Sequence, residues 1–392
     1  MKVLLDGTAI ANYPTGVGIY SQKLVSKLCE IDSNTEFTLI IPKMLKKSHA
    51  IFTMDYPNLE LMHTQIPPIG IKRDCIFNFK KISGLEESVY HCLSTNYPIT
   101  LHPIAKGIVT IHDLKYVFHS KFLGCGGKIK SMYLKGIIRN AAKNAKHIIC
   151  DSESTRNDLI KFIREDSLSF LNKISVIHLA SALEDISVPI NETLITDNIT
   201  KPFFLYVGEW RPHKNIEGLL KSFFEFCSMN VHNEDYSLVI VGPKHKSFYQ
   251  GGSLNIPRKF KNRIKIIDYL SESKLKYFYK EAFALILISF YEGFGLPVVE
   301  AMQEGKPVIV SNCSSLPELV GNDKWTVNPH NSSETAKLMN DLVNSNDLYE
   351  LAIKNSLKRR ELFSWEKTAK RTLDIYNNIA TSVNKSDYNT SY

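Results

Sequence analysis

Short apolar runs bounded by turn residues alternate along this 392-residue chain with stretches in which apolar positions recur every three to four residues. Val3–Leu5, Phe37–Ile41, Ile108–Ile111, Ile148–Cys150 and Ile174–Ile177 read as buried strands, with Ile19–Ile31 and Thr155–Ile163 as helices between them. The pattern restarts with Phe203–Val207, Leu238–Val241, Ile264–Ile267, Ala284–Ile288 and Pro307–Val310. Continuous apolar strands followed by helical stretches predict parallel sheets covered on both faces. The chain is also longer than one core usually grows, so the restart predicts two doubly wound α/β domains. The expected boundaries are 1–185 for the first domain, 186–201 for a polar linker and 202–364 for the second domain. A terminal helix over 365–381 and a frayed tail over 382–392 complete the reading.

Ligands of open α/β sheets bind outside the carboxyl ends of the strands, so the loops there carry the candidate chemistry. After Ile288 the chain reads Ser289-Phe290-Tyr291-Glu292-Gly293-Phe294-Gly295-Leu296-Pro297-Val298-Val299-Glu300. Pro297 opens a helix, which leaves Glu292 in the loop and Glu300 one turn into the helix. Gly293 and Gly295 permit close backbone approach, and the free N–H groups of a first helical turn favour an anion. Two carboxylates flanking an anion site suit a ligand that carries both phosphate and sugar hydroxyls.

After Val207 comes Gly208-Glu209-Trp210-Arg211-Pro212-His213-Lys214-Asn215, with Asn215 placed to cap the following helix. Arg211 and Lys214 are two cations at a strand end, which suits a diphosphate, although such a pair alone also fits an ordinary surface. Thr15-Gly16-Val17-Gly18 follows the first strand and opens a helix. It lacks the third glycine and spaced acid of a dinucleotide fingerprint, so it reads equally as a phosphate contact or a βα turn. His112, after Val109-Thr110-Ile111, reads as a group for donation or proton transfer, or as a hydrogen-bonded core histidine. The nearest match to a metal-holding Asp-x-Asp pair is Asp151-Ser152-Glu153. There Ser152 or Ser154 would cap a helix and Glu153 would complement its dipole, so no metal is expected.

Composition excludes several classes. The seven cysteines form no Cys-x-x-Cys pair, which fits a reducing compartment, and no apolar segment has the form of a signal peptide or a membrane span. The net charge of +8 is uneven: nine Lys or Arg and one acidic residue fall between Lys106 and Lys146. On a helix from Gly126 to His147, Lys128, Lys135, Arg139, Lys143 and Lys146 form a stripe opposite Leu134, Ile137, Ala141, Ala142 and Ala145. That stripe reads as a solvated face or as a contact for anionic lipid head groups. Nucleic acid is not expected, because basic and aromatic residues do not interleave.

Taken together these residues resemble the retaining glycosyltransferases of family 4, which have the two-domain GT-B fold. The segment from Ser289 to Met302 with Gly305-Lys306-Pro307-Val308-Ile309 carries the most specific likeness. Thr15–Gly18, Thr110–Asp113, Gly208–Lys214, Leu316-Pro317-Glu318 and Ser364-Trp365-Glu366 extend it over nearly the whole chain. The resemblance implies a nucleotide-diphosphate sugar as donor, no cofactor and no metal. Glu292 would contact the donor sugar and Glu300 the ribose. Gly293, Phe294, Gly295, Leu296, Gly16 and Gly18 would lie along the sugar and diphosphate, and Tyr269 and Leu270 would border the base. Arg211 and Lys214 would hold the diphosphate, and His112 would line the reaction centre. No enzyme nucleophile is then required, so the glutamates need not be a glycosidase pair.

The Thr-Gly-Val-Gly and His-Asp-Leu segments are most similar to mannosyltransferases, which implies GDP-mannose. The acceptor would be a glycan or lipid-linked glycan of surface polysaccharide synthesis, and the protein cytoplasmic, either free or peripheral on the inner face of the membrane. The rivals are a nucleotide-sugar epimerase of the same fold and a scaffold that binds a nucleotide sugar without turnover.

Overall fold

The computed structural model describes residues 1–13, 15–70, 73, 88–99, 106–123, 127–184, 186–187, 199, 202–244 and 256–386. The chain divides into two compact units: Met1–Ser120 with Lys128–Leu179 and Ser364–Tyr392, and Lys121–Gly127 with Ala180–Phe363. Most of the expected linker 186–201 and the end of the tail, 387–392, lie outside the described residues.

The first unit holds a parallel sheet of β1 (Lys2–Asp6), β2 (Glu36–Pro42), β3 (Leu59–Thr64), β4 (Val89–Cys92), β5 (Lys106–Ile111), β6 (His147–Cys150) and β7 (Ile174–Val176), in the order β3-β2-β1-β4-β5-β6-β7. Its helices include α1 (Gly16–Ile31), α2 (Lys115–Phe118), α3 (Gly127–Asn144), α4 (Glu153–Ile163) and α5 (Leu168–Leu171). The second unit pairs β8 (Phe203–Val207), β9 (Ser237–Val241), β10 (Ile264–Ile267), β11 (Ala284–Leu287), β12 (Val308–Ser311) and β13 (Thr326–Val327) in the order β10-β9-β8-β11-β12-β13, again all parallel. It carries α6 (Ile216–Met229), α7 (Glu272–Glu281), α8 (Leu296–Gln303), α9 (Leu316–Val320), α10 (Ser332–Asn344) and α11 (Asn346–Arg360). In each sheet the strand order reverses about the first strand, so β1 and β4, and β8 and β11, flank a topological switch point.

Strands β1, β5, β8, β9 and β11 are buried on both faces almost throughout, which is why they stand out as apolar runs. β3, β4 and β13 add to the expected strands. β3 is a half-exposed edge strand containing Glu60 and His63, and β13 has two residues. β4 is central, but its Tyr90 and His91 break the apolar signal. At the carboxyl end of β1, Asp6 forms a buried ion pair with Arg73 and accepts from the Tyr90 hydroxyl, and Arg73 also donates to Thr8 Oγ1 at 2.8 Å.

The final helix, α12 (Trp365–Ser386), belongs to the first unit and packs on α1, with Trp365 beside Tyr20 at 6.5 Å between ring centroids. Three expected boundaries change. The helix continues through residues 382–386, which were expected to lie in the tail. Residues Ala180–Leu183 are buried in the second unit, where the Ala182 N–H is donated to Glu300, so the first unit ends at Leu179 and not at 185. The basic helix α3 stops at Asn144, because the Lys146 N–H is bonded to Gly107 O and the chain there enters β6.

On the apolar side, Ile137, Ala141 and Ala142 of α3 and Ala145 just past it are at most 5% exposed, and Leu134 is half-buried. Of the stripe, Lys128, Arg139, Lys143 and Lys146 are exposed and Lys135 is half-buried. Arg139 lies 4.8 Å over the Phe162 ring, a cation–π contact. Near the start of the helix Ile129 and Met132 are 72% and 68% exposed.

Candidate functional site

Three residues of the second unit meet across the β8–β11 boundary. The chain leaves β8 through Gly208, where φ is +151°, and turns through Pro212–Lys214 into α6. Asn215 caps α6 by accepting from Gly218 N at 3.2 Å, and its amide donates to Ile288 O at 3.0 Å and Pro329 O at 2.8 Å. This staples the β8 loop to the end of β11 and fixes where Lys214 emerges. Lys214 Nζ donates to Glu292 Oε1 at 2.7 Å and Oε2 at 2.8 Å, and Ser289 Oγ donates to Oε1 at 2.6 Å. Arg211 turns onto Glu209, with Nε 2.6 Å from Oε2. Sequence reasoning brought Lys214 and Glu292 to one site but did not foresee that they hold each other.

The loop carrying Glu292 is clamped from the β12–α9 turn. Ser314 Oγ accepts from Glu292 N at 2.8 Å, and Ser315 Oγ donates to Glu292 O at 3.1 Å and Phe294 O at 2.6 Å. Gly293 and Phe294 are thereby fixed, and Gly295 closes the loop with φ +114° as the N-cap of α8. A Cβ at Gly295 would lie 2.7 Å from Leu316 Cδ2, so this position requires glycine for its backbone angle and for space. Leu296 and Pro297 form the first turn of α8, where no side-chain cap meets the helix N–H groups, a favourable place for an anion.

Glu300 lies one turn further on and is 6% exposed. Tyr279, from α7, donates its hydroxyl to Oε2 at 2.7 Å. Burial pushes the carboxyl up to about 7, and the nearby Glu272 adds to this, while the Tyr279 hydroxyl and the Ala182 N–H oppose it. Tyr206, near the end of β8, is buried with no hydrogen-bond partner for its hydroxyl among the described residues. Burial and the charges of Glu292 and Glu209 hold its proton on. Tyr269 is 66% exposed and Leu270 half-buried, both in the loop after β10 and two strands from β8.

In the first unit, Thr15 Oγ1 caps α1 by accepting from Gly18 N at 3.0 Å, and Gly16 is its exposed first residue. A Cβ at Gly16 would meet nothing within 4 Å, so the fold of this unit does not itself demand glycine there. His112 stands at the carboxyl end of β5, with Nδ1 2.6 Å from Asp151 Oδ2 and Nε2 3.0 Å from Leu93 O. Of the two serines expected to cap α4, Ser152 does so, its Oγ accepting from Thr155 N at 3.0 Å. Asp151, beside it, is instead turned to His112.

Sequence reasoning missed Ser289, Tyr279, Asp151 and the Ser314-Ser315 clamp. Ser289 adjoins the motif and was legible as a hydroxyl at a strand end. The others reach their partners from elements 21 to 39 residues away and carry no local signal.

Comparisons with known proteins relate the chain to glycosyltransferases. Residues 195–359 match the family profile described as Glycosyl transferases group 1. The chain is 25% identical over 399 residues to O-antigen chain mannosyltransferase B of Escherichia coli, covering 96% of this chain and 99% of that protein. It is 28% identical over 221 residues to O-antigen chain mannosyltransferase RfbU of Salmonella typhimurium, covering 56% of each. Among solved structures, sucrose-phosphate synthase from Thermosynechococcus elongatus superposes with a TM-score of 0.73 at 18% identity, covering 97% of this chain and 99% of that one. Anabaena HepE in complex with UDP and glucose superposes with a TM-score of 0.69 at 16% identity, covering 96% and 100%. These likenesses give residues 195–359 the profile of the group 1 glycosyl transferases and the chain the α/β GT-B fold.

Proposed function

We propose that this enzyme transfers mannose from GDP-mannose to a glycan or lipid-linked glycan during surface polysaccharide synthesis, with retention of the donor's anomeric configuration and without a metal. The observation that carries the reading is the Lys214–Glu292 pair at the β8–β11 switch point, a cation for the diphosphate beside an acceptor for sugar hydroxyls. The mannosyltransferase relatives support the choice of sugar.

In this reading the diphosphate takes Lys214 and Arg211 as counter-charges, and the first turn of α8 with Gly293, Phe294, Gly295 and Leu296 supplies backbone donors. Glu292 accepts from the transferred sugar and Glu300 from the ribose, while Tyr269 and Leu270 border the base. His112, after β5, and Gly16 and Gly18, at the start of α1, all belong to the first unit and lie on the carboxyl side of its sheet. The bond between C1 and the diphosphate oxygen breaks as the acceptor oxygen bonds C1 on the same face. The departing phosphate takes the acceptor's proton, so the products are the mannoside and protonated GDP. The charge developing on that phosphate is met by Lys214 and Arg211, the role a divalent ion would otherwise fill.

Among the described residues no helix is long and apolar enough to cross a membrane. A cytoplasmic enzyme that meets a lipid-linked acceptor needs a surface contact, and α3 supplies one in this reading. Exposed Ile129 and Met132 stand beside Lys128, with Lys135, Arg139, Lys143 and Lys146 further along the chain, a composition suited to anionic head groups.

The test is a transfer assay in EDTA with GDP-mannose, UDP-glucose, UDP-galactose and UDP-N-acetylglucosamine, using a polyprenyl-diphosphate glycan as acceptor and NMR of the product's anomeric centre. Transfer from GDP-mannose with retained configuration is expected. Epimerised UDP-sugar without transfer, an inverted product, or activity only after a divalent metal is restored would overturn the reading.

A further inference from the structure

β5 and β6 are adjacent and parallel, with Ile111 opposite Cys150, so His112 and Asp151 leave their strands side by side. His112 Nδ1 lies 2.6 Å from Asp151 Oδ2, and Nε2 lies 3.0 Å from the carbonyl oxygen of Leu93, in the loop after β4. A carbonyl oxygen only accepts a hydrogen bond, and so does an ionised carboxylate. A neutral imidazole has one N–H and would leave one of these contacts as two facing lone pairs. Two N–H groups satisfy both.

The surroundings favour the charged ring. The Asp151 side chain is 3% exposed, its Oδ1 has no hydrogen-bond partner among the described residues, and its ion pair there is with His112. Asp113, on the loop of His112 itself, is paired with Lys115 at 3.0 Å. His91, facing from β4, is held neutral by burial, which pushes its pKa down to about 3. Tyr20, from α1, sets its ring edge against His112 at 4.9 Å and 78°, and burial keeps its hydroxyl protonated. Burial disfavours charge on His112 too, but Asp151, the Leu93 carbonyl and Asp113 outweigh it and raise the ring's pKa above its ordinary value.

Tyr20 is itself held in place. Its hydroxyl lies 2.8 Å from Thr110 Oγ1, which lies 2.8 Å from His91 Nε2, and His91 Nδ1 lies 2.6 Å from the Tyr376 hydroxyl on α12. This buried chain of neutral groups gives the Tyr20 ring one position, and with it the ring of His112.

We propose that Asp151 is a positioning residue that, with the Leu93 carbonyl, holds His112 as a doubly donating imidazolium, a fixed positive charge at the carboxyl end of β5 and not a carrier of protons. The effect on catalysis rests on the reading above that His112 lines the reaction centre; the charge state does not. With both N–H groups engaged, the ring acts on a substrate through its charge and its C–H edge, which suits an anionic leaving group.

The test is long-range 1H–15N correlation NMR on the full-length chain labelled at histidine nitrogen, near pH 7, with His112 assigned by loss of its signals in His112→Ala. Both His112 nitrogens are expected at protonated shifts in the parent. Asp151→Asn is expected to show one bare nitrogen and to lower kcat on the order of tenfold to a hundredfold with little change in donor KM. Asp151→Glu should restore the doubly protonated ring. One bare His112 nitrogen in the parent overturns the proposal, and this spectrum decides it even if Asp151→Asn does not fold. Parent-like transfer by His112→Ala would overturn the reaction-centre reading alone, with the charge state still decided by the spectrum.

Discussion

Lys214 Nζ stands 2.7 and 2.8 Å from the two carboxylate oxygens of Glu292, a residue 78 positions away in sequence. The two groups that a nucleotide sugar would use, one for its diphosphate and one for its sugar, are therefore neutralised against each other and half-shielded from water. In the proposed function, a diphosphate arriving at Lys214 would draw the ammonium off Glu292 and free a carboxylate for hydroxyl groups. Glu292→Gln keeps the shape and removes the competing charge. GDP is expected to bind this variant as tightly as the parent or more so, while sugar transfer falls about tenfold to a hundredfold through loss of a charge-assisted hydrogen bond. Calorimetry showing markedly weaker GDP binding to Glu292→Gln would contradict the exchange.

In the proposed donor site, Glu300 would bring a pH dependence. Burial lifts its carboxyl to about 7, above the ordinary 4.5, so the native state favours the protonated form. A raised carboxyl pKa contributes stability that is fully present below the unfolded value and is lost as pH rises through the folded one. The ionised form is nonetheless the better acceptor for two ribose hydroxyls. Between about pH 5 and 7.5, thermal stability without ligand should decline while GDP-mannose affinity rises, and Glu300→Gln should flatten both trends. Parent affinity that does not change with pH over that window would refute this account of Glu300.

How much of this was legible in the sequence depends on the range of the signal. β8, β9, β11 and β12 could be located within a residue or two because strands buried on both faces are nearly pure apolar runs. β4 was hidden because His91 occupies a core position there, satisfied by Tyr376 and Thr110 from other elements. Asn215 and Ser152 were readable as caps because a cap bonds to N–H groups two or three residues ahead. Asp151 sits in the same local motif as Ser152, yet its partner is His112, and nothing local announces a contact made through neighbouring strands. The same holds for Tyr279 and Glu300, and for Lys214 and Glu292, whose segments stood out while their pairing did not.

At Gly295 a backbone angle and a packed neighbour coincide. With φ at +114° and Leu316 Cδ2 2.7 Å from where a Cβ would stand, Gly295→Ala must strain the turn or displace α9. A cost of about 1–3 kcal/mol is expected in urea unfolding, with a larger fractional loss of GDP binding because the first turn of α8 moves. A loss well below 1 kcal/mol would show that the loop relaxes freely.

The exposed start of α3 separates the lipid reading from a solvated face. Each cation near an anionic surface contributes about 1 kcal/mol, and an apolar side chain that enters the interface adds to it. The double variant Lys128→Glu with Met132→Ser should lose flotation with phosphatidylglycerol vesicles, while binding GDP like the parent. Arg139, which packs on Phe162, is a poorer probe because its replacement also disturbs the fold. Unchanged flotation of the double variant would favour the solvated face.

The central claim is that Lys214 and its neighbours at the β8–β11 switch point hold a nucleotide diphosphate sugar, and it is tested most directly by titrating GDP-mannose and GDP into the parent and Lys214→Ala by calorimetry. We expect both ligands to bind the parent and to lose on the order of a hundredfold in affinity in Lys214→Ala, with native circular dichroism retained. Parent-like binding of both ligands by Lys214→Ala, or binding of neither by the parent, would contradict it.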